Sequence, residues 1–246
     1  MQEKSRKLLG LAVFAAAMGF LEAIVVVYLR ALYYPEGFCF PLAAMPGGIY
    51  LTEVLREICT LVMLAAIGWM GSSTPFTRFT CFLYLFGVWD LFYYLALKLL
   101  LDWPASLFTW DVLFLIPITW IGPVIAPVLC ALAMIVLHLA AERFLARGER
   151  SVFNGREWLL LLAGALFVYV SFTIDYTLLI FRHDLTGGLT EVLRDEKMVR
   201  TITQFIPSRF AWEIYIPGLL LILAALFSFI RTAPSRVTAA IPPAQN

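Results

Sequence analysis

The chain has 246 residues, of which 62% are hydrophobic and 14% charged, with a formal net charge of +1. Soluble domains carry about 25% charged residues, so this composition sets aside a water-soluble globular fold, and the near-neutral balance gives no reason to expect a nucleic-acid partner. Apolar stretches long enough to cross about 30 Å of hydrocarbon recur along the whole length. The expected fold class is all-α: a polytopic integral membrane helical bundle forming a single domain over residues 1–232.

Taken in order, about six transmembrane helices can be drawn, at roughly 8–30, 54–71, 79–101, 111–140, 157–181 and 210–230. Met1–Lys7 followed by Leu8–Ala17 imitates a secretory leader, but the apolar run continues through Phe20–Leu29, which reads as an uncleaved first helix. Pro35, Pro41, Pro46 and Gly47-Gly48 fill the first loop, Gly71–Pro75 the second, and Asp102-Trp103-Pro104 the third. The fourth span holds Pro117, Gly122, Pro123 and Pro127, which predicts a helix kinked or broken near Trp120–Pro123. Between the fifth and sixth spans, residues 182–209 place Leu189, Val192, Val199, Ile202 and Ile206 near one helical face. That segment reads as an outer amphipathic helix on the membrane surface or a lid over a cavity. Residues 233–246 read as a disordered cytoplasmic tail.

Lys4, Arg6, Lys7, Arg78, Arg143, Arg147, Arg150, Arg156, Arg231 and Arg236 fall on one side if both termini are cytoplasmic. Trp69 and Trp158 then mark the inner interface and Trp103, Trp110 and Trp212 the outer one, while Trp89 and Trp120 lie too deep for an aromatic belt. Of the four cysteines only Cys39 is in a loop, so no disulfide framework is expected.

The polar residues inside the spans carry the functional signal. A carboxylate at bilayer depth costs about 2.5–3.5 kcal/mol on insertion scales, so it is rarely left there without a partner or a use. Glu22, Asp90 and Asp175 each interrupt a long apolar run, and Glu53, Glu57, Asp102, Asp111 and Glu213 lie at outer helix ends. Asp90 shares a helical face with Tyr93 and Tyr94, whose phenols can donate to it. A broken fourth helix would free backbone groups near Trp120 at similar depth. The candidate substrate- or ion-binding residues are therefore Glu22, Glu57, Asp90, Tyr94, Asp111, Trp120 and Asp175, around an outward-opening cavity bounded by the first four spans. The structural alternative pairs these acids with Arg30, Arg56, Lys98 or Arg182 in a dry bundle. No cofactor is predicted, although an all-oxygen site of Glu22, Glu57, Asp90 and Asp111 would suit divalent Mg²⁺, Ca²⁺ or Mn²⁺.

Only two histidines are present, with His138 expected at the inner interface near Glu142 and His183 in an outer loop. About 30 Å apart, they cannot share a metal or a haem. The motifs of rhomboid serine proteases, CAAX-type proteases and phosphatidate-type phosphatases are missing, as are a phosphate loop and a dinucleotide fingerprint.

The stretch Trp89-Asp90-Leu91-Phe92-Tyr93-Tyr94, with Trp103-Pro104-Ala105-Ser106, Trp110-Asp111 and Gly122-Pro123-Val124-Ile125-Ala126-Pro127, resembles a group of uncharacterised bacterial multi-spanning inner-membrane proteins. The resemblance covers about a quarter of the chain and implies a bacterial cytoplasmic-membrane setting, with no activity to carry over. Three functions remain open: binding or moving a small solute, cation or proton; an enzyme on a lipid-linked or periplasmic substrate using a carboxylate-bound metal; and a non-catalytic subunit of a larger membrane complex. The expected partners are the lipid bilayer and a small solute or ion, with a homo-oligomer or a membrane-complex partner as further options.

Overall fold

The computed structural model describes residues 2–147, 152–182 and 204–238. Six helices lie among them: α1 (Gln2–Tyr33), α2 (Gly47–Met70), α3 (Pro75–Leu101), α4 (Ile125–Ala146), α5 (Gly155–Arg182) and α6 (Trp212–Thr238). Five are long and apolar enough to cross a membrane. The exception is α2, in which every 18-residue window contains Glu53, Arg56 and Glu57.

Packing follows from which side chains are small or apolar on each face. The most buried of the five apolar helices is α3; α1, α2 and α4 all dock on it, while α6 joins α4 to α5. A Cβ at Gly19 would stand 2.5 Å from the Trp89 carbonyl oxygen, so only glycine lets α1 lie this close to α3. Between α5 and α6, Gly164 and Gly218 face each other, and a Cβ at Gly164 would lie 2.6 Å from the Gly218 carbonyl oxygen. Small residues that let backbones approach are the usual solution where lipid removes the hydrophobic drive between helices. Leu9, Val13, Leu21, Leu159, Leu162, Leu220 and Phe227 point outward, as lipid-facing side chains would.

The start of α3 is set by Thr74, which accepts from the Thr77 backbone N–H, with Pro75 in the first turn. It ends where Asp102 takes a left-handed φ of 50°, a conformation Asp tolerates better than most residues.

The expected fourth span departs from the sequence reading. Residues 110–123 are not a kinked helix but an antiparallel hairpin of β1 (Trp110–Phe114) and β2 (Trp120–Pro123). Trp110 pairs with Pro123, Asp111 with Gly122, Val112 with Ile121 and Phe114 with Trp120. Pro117 and Pro123 lack the N–H that a helix would need, and the aromatic and branched residues of β1 suit a strand. Pro127 sits in the first turn of α4, where no helical N–H is required. Phe172 presses on the hairpin at Gly122, where a Cβ would meet the ring at 2.8 Å.

At the end nearest the N-terminus, Phe76, Phe144, Phe153 and Phe229 form an aromatic cluster tying α3, α4 and α6. His138 belongs to the interior near that end, not to an interface as its position suggested: it is 1% exposed and hydrogen-bonded to Thr80 Oγ1 at 3.1 Å. Glu157 is fully buried; it caps α5 through the Asn154 N–H and accepts from Ser228 and Thr232 of α6. The four cysteines are free. Most of the expected amphipathic segment, with His183, lies outside the described residues, as does 239–246; α6 continues to Thr238, past the point where the tail was expected to start.

Candidate functional site

The opposite end of the bundle holds a cavity of about 210 Å³. Its walls come from the end of α1, the loop 34–45, the first half of α2, Tyr93 of α3, the hairpin and Tyr176 of α5. The loop folds back because Tyr34 accepts a hydrogen bond from the Ala43 N–H at 2.7 Å and Phe38 packs edge-on to Tyr34 and Trp103. Burial raises the Tyr34 hydroxyl above its ordinary pKa, so it stays a neutral phenol.

The charged lining is built by spacing. On α2, Glu53, Arg56 and Glu57 follow at i, i+3 and i+4 and share one face. Arg56 bridges two helices: its Nε donates to Glu53 Oε2 at 2.8 Å and its Nη1 to Glu22 of α1. Thr60 donates to the second Glu22 oxygen at 3.3 Å. Glu57 faces the hairpin, where both carboxylate oxygens accept from the Leu115 N–H, at 3.1 and 3.0 Å. Among the described residues Glu57 forms no salt bridge.

Arg30, one turn from the end of α1, donates to Asp111 Oδ1 at 3.4 Å. Its guanidinium lies over Trp103 at 3.9 Å and Phe38 at 4.5 Å, a cation–π sandwich that fixes it in a buried position. Asp111 is 2% exposed, and its Oδ2 has no hydrogen-bond partner among the described residues. Burial pushes its carboxyl up to about 6, with Arg30 opposing the rise. Tyr94 approaches Asp111 from α3, and Asp90 stands close enough to repel it electrostatically. Asp90 Oδ2 is likewise buried without a partner.

The sequence-derived residues thus divide. Glu57 and Asp111 line the cavity; Glu22 reaches it through Arg56; Asp90 and Tyr94 lie behind Asp111. Trp120 does not reach it: the ring packs on Phe114, Tyr169 and Phe172, and its N–H donates to the Ile116 carbonyl at 2.9 Å. Asp175 is half-buried on α5 and outside the lining, whereas its neighbour Tyr176 is inside. The four-carboxylate metal set does not assemble, and among the described residues no group of three His, Cys, Asp or Glu side chains is placed to hold a metal ion. Glu22 and Asp111 are instead engaged by guanidinium groups.

The cavity tyrosines Tyr34, Tyr50 and Tyr176 do not stand out in the sequence, where Arg30 and Arg56 read only as neutralising partners. They do neutralise, yet both line the cavity. The signal was weak because a tyrosine near a helix end is ordinary in a membrane protein.

Compared with known proteins, the chain matches no family model, no curated sequence and no solved structure.

Proposed function

We propose that the protein binds a small cationic solute or protons in this cavity and moves them across the membrane. The observation that carries this reading is an excess of buried acid. Among the described residues, Glu22, Glu53, Glu57, Asp90 and Asp111 gather around two guanidinium groups, Arg30 and Arg56. Arg56 already serves two carboxylates, and Arg30 is held by Asp111 and two aromatic rings. Negative charge without a counterion in a low-dielectric site is costly, so protons or a bound cation complete the balance. Glu57 is the binding carboxylate at the wall, and Glu22 and Asp90 are the coupling carboxylates behind it.

In the arrangement this function requires, α2 also crosses the bilayer. That gives six spans with both termini cytoplasmic and the cavity facing outward from a bacterial cytoplasmic membrane. The basic residues flanking α1, α4 and α6 favour this orientation.

The test is flux in proteoliposomes containing a trapped pH dye, driven by gradients of Na⁺, K⁺, tetramethylammonium or hexylammonium. At least one gradient should move protons or the cation through the wild type, and Glu57→Gln should reduce that flux at least about tenfold. Absence of protein-dependent flux and of cation binding across the panel would end this reading.

A further inference from the structure

Two residues of the cavity wall each carry a buried polar atom with no hydrogen bond of ordinary geometry among the described residues: Asp111 Oδ2, on a carboxylate that Tyr94 approaches, and the Tyr176 hydroxyl. Each belongs to a residue 2% exposed. An orphan of this kind is uncommon in native interiors and asks for a ligand group or a proton to satisfy it. Asp111 and Glu57 can only accept when ionised, so whatever meets them must donate. The folded loop adds the apolar lining residues Phe38, Leu42 and Met45 to the same cavity.

We infer that the cavity takes a protonated primary amine carrying a compact apolar body. This rests on the cation reading above and narrows it. The ammonium N–H groups serve the unpartnered oxygen of Asp111, the Glu57 carboxylate and the Tyr176 hydroxyl, and the body lies against the loop. A quaternary ammonium offers charge but no N–H donor, and a bare alkali cation leaves the apolar wall without a contact. Both should bind less well.

The experiment compares three probes on the full chain in nanodiscs by calorimetric titration: cyclohexylmethylamine at pH 7.5, its N,N,N-trimethyl analogue, and cyclohexylmethanol as a control for partition into lipid. Charge-assisted hydrogen bonds predict a preference of at least about tenfold for the amine over the trimethyl compound. Tyr176→Phe removes one oxygen without removing the ring, so the fold is retained; it should weaken the amine and leave the trimethyl compound unchanged. Asp111→Asn should abolish the preference.

Equal affinity for amine and trimethyl compound, with binding lost in Glu57→Gln, overturns this inference while leaving the cation reading intact. Amine binding unaffected by Tyr176→Phe, Asp111→Asn and Glu57→Gln alike places the amine elsewhere and also overturns it. Failure of every cation, including Na⁺, K⁺ and protons, sinks both.

Discussion

Replacing Arg30 by Met removes a charge while roughly keeping the volume, and the consequence depends on pH through Asp111. In the native protein the Asp111 carboxyl sits at about 6 against an ordinary 3.8, with burial as the main cause and Arg30 holding it down. That rise disfavours the ionised form by on the order of 3 kcal/mol at neutral pH. A carboxyl whose folded pKa is raised is stabilising only while protonated. Stability therefore falls as pH climbs from about 4 through about 6.

Without Arg30 the folded pKa of Asp111 rises further and the fall extends to higher pH. Breaking a buried pair on one side costs about 3–5 kcal/mol, and losing the contacts with Trp103 and Phe38 adds about 0.5–2 kcal/mol. Proton uptake by Asp111 limits the first figure, so Arg30→Met should lose on the order of 3 kcal/mol at pH 8. At pH 5 Asp111 is mostly neutral in both proteins, and the loss should shrink to the aromatic contribution. Denaturant unfolding in mixed micelles at both pH values measures the difference, with Arg30→Met/Asp111→Asn completing a double-mutant cycle. A loss that is the same at pH 5 and pH 8, or a double variant no better than the single one at pH 8, would refute the pairing argument.

Other expectations are simpler. Gly218→Leu should separate α5 from α6 and destabilise by at least about 1–3 kcal/mol in the same assay, because the added side chain meets Phe167 and the Gly164 backbone. Glu157→Ala leaves the Ser228 hydroxyl without this acceptor and removes the α5 cap, for a loss of about 1–3 kcal/mol; a change under about 0.5 kcal/mol would contradict a stabilising role for these hydrogen bonds. Asp102→Gly should be neutral or slightly stabilising in the same assay, since the residue is exposed and its backbone is left-handed. Asp102 is held below its ordinary pKa chiefly by a hydrogen bond from Lys98, so a marked stability loss in this variant would mean that the exposed pair matters more than such pairs usually do.

How far the sequence reached depends on the kind of signal. Glu22, Asp90 and Glu57 stand out because a charge among apolar residues is energetically conspicuous whatever the tertiary structure. The hairpin was hidden for the opposite reason. Residues 110–125 are as apolar as a span, and their prolines fit a kinked helix as well as a turn. What decides between them is non-local: Phe172 and Phe210 against Gly122, and Glu57 on the Leu115 N–H. Asp175 and Tyr176 show a third limit. They are adjacent in sequence but about 100° apart around α5, and only packing tells which of them turns inward. The loop 34–45 reads as breakers and aromatics, and its return over Arg30 depends on contacts with Trp103 from another loop.

The Arg56 bridge also bears on how such a chain enters a bilayer in the six-span arrangement proposed above. Alone, α2 would bring three ionised groups into hydrocarbon, each adding about 2.5–3.5 kcal/mol at the helix centre. Arg56 shared between Glu22 and Glu53 cancels much of that, but one of those carboxylates belongs to α1. The first two helices then partition best as one unit, with α1 synthesised first and its Glu22 awaiting the basic residue that follows it. Mutating Arg56 would therefore be felt during biogenesis, as failure to integrate α2, before any solute could test the finished cavity.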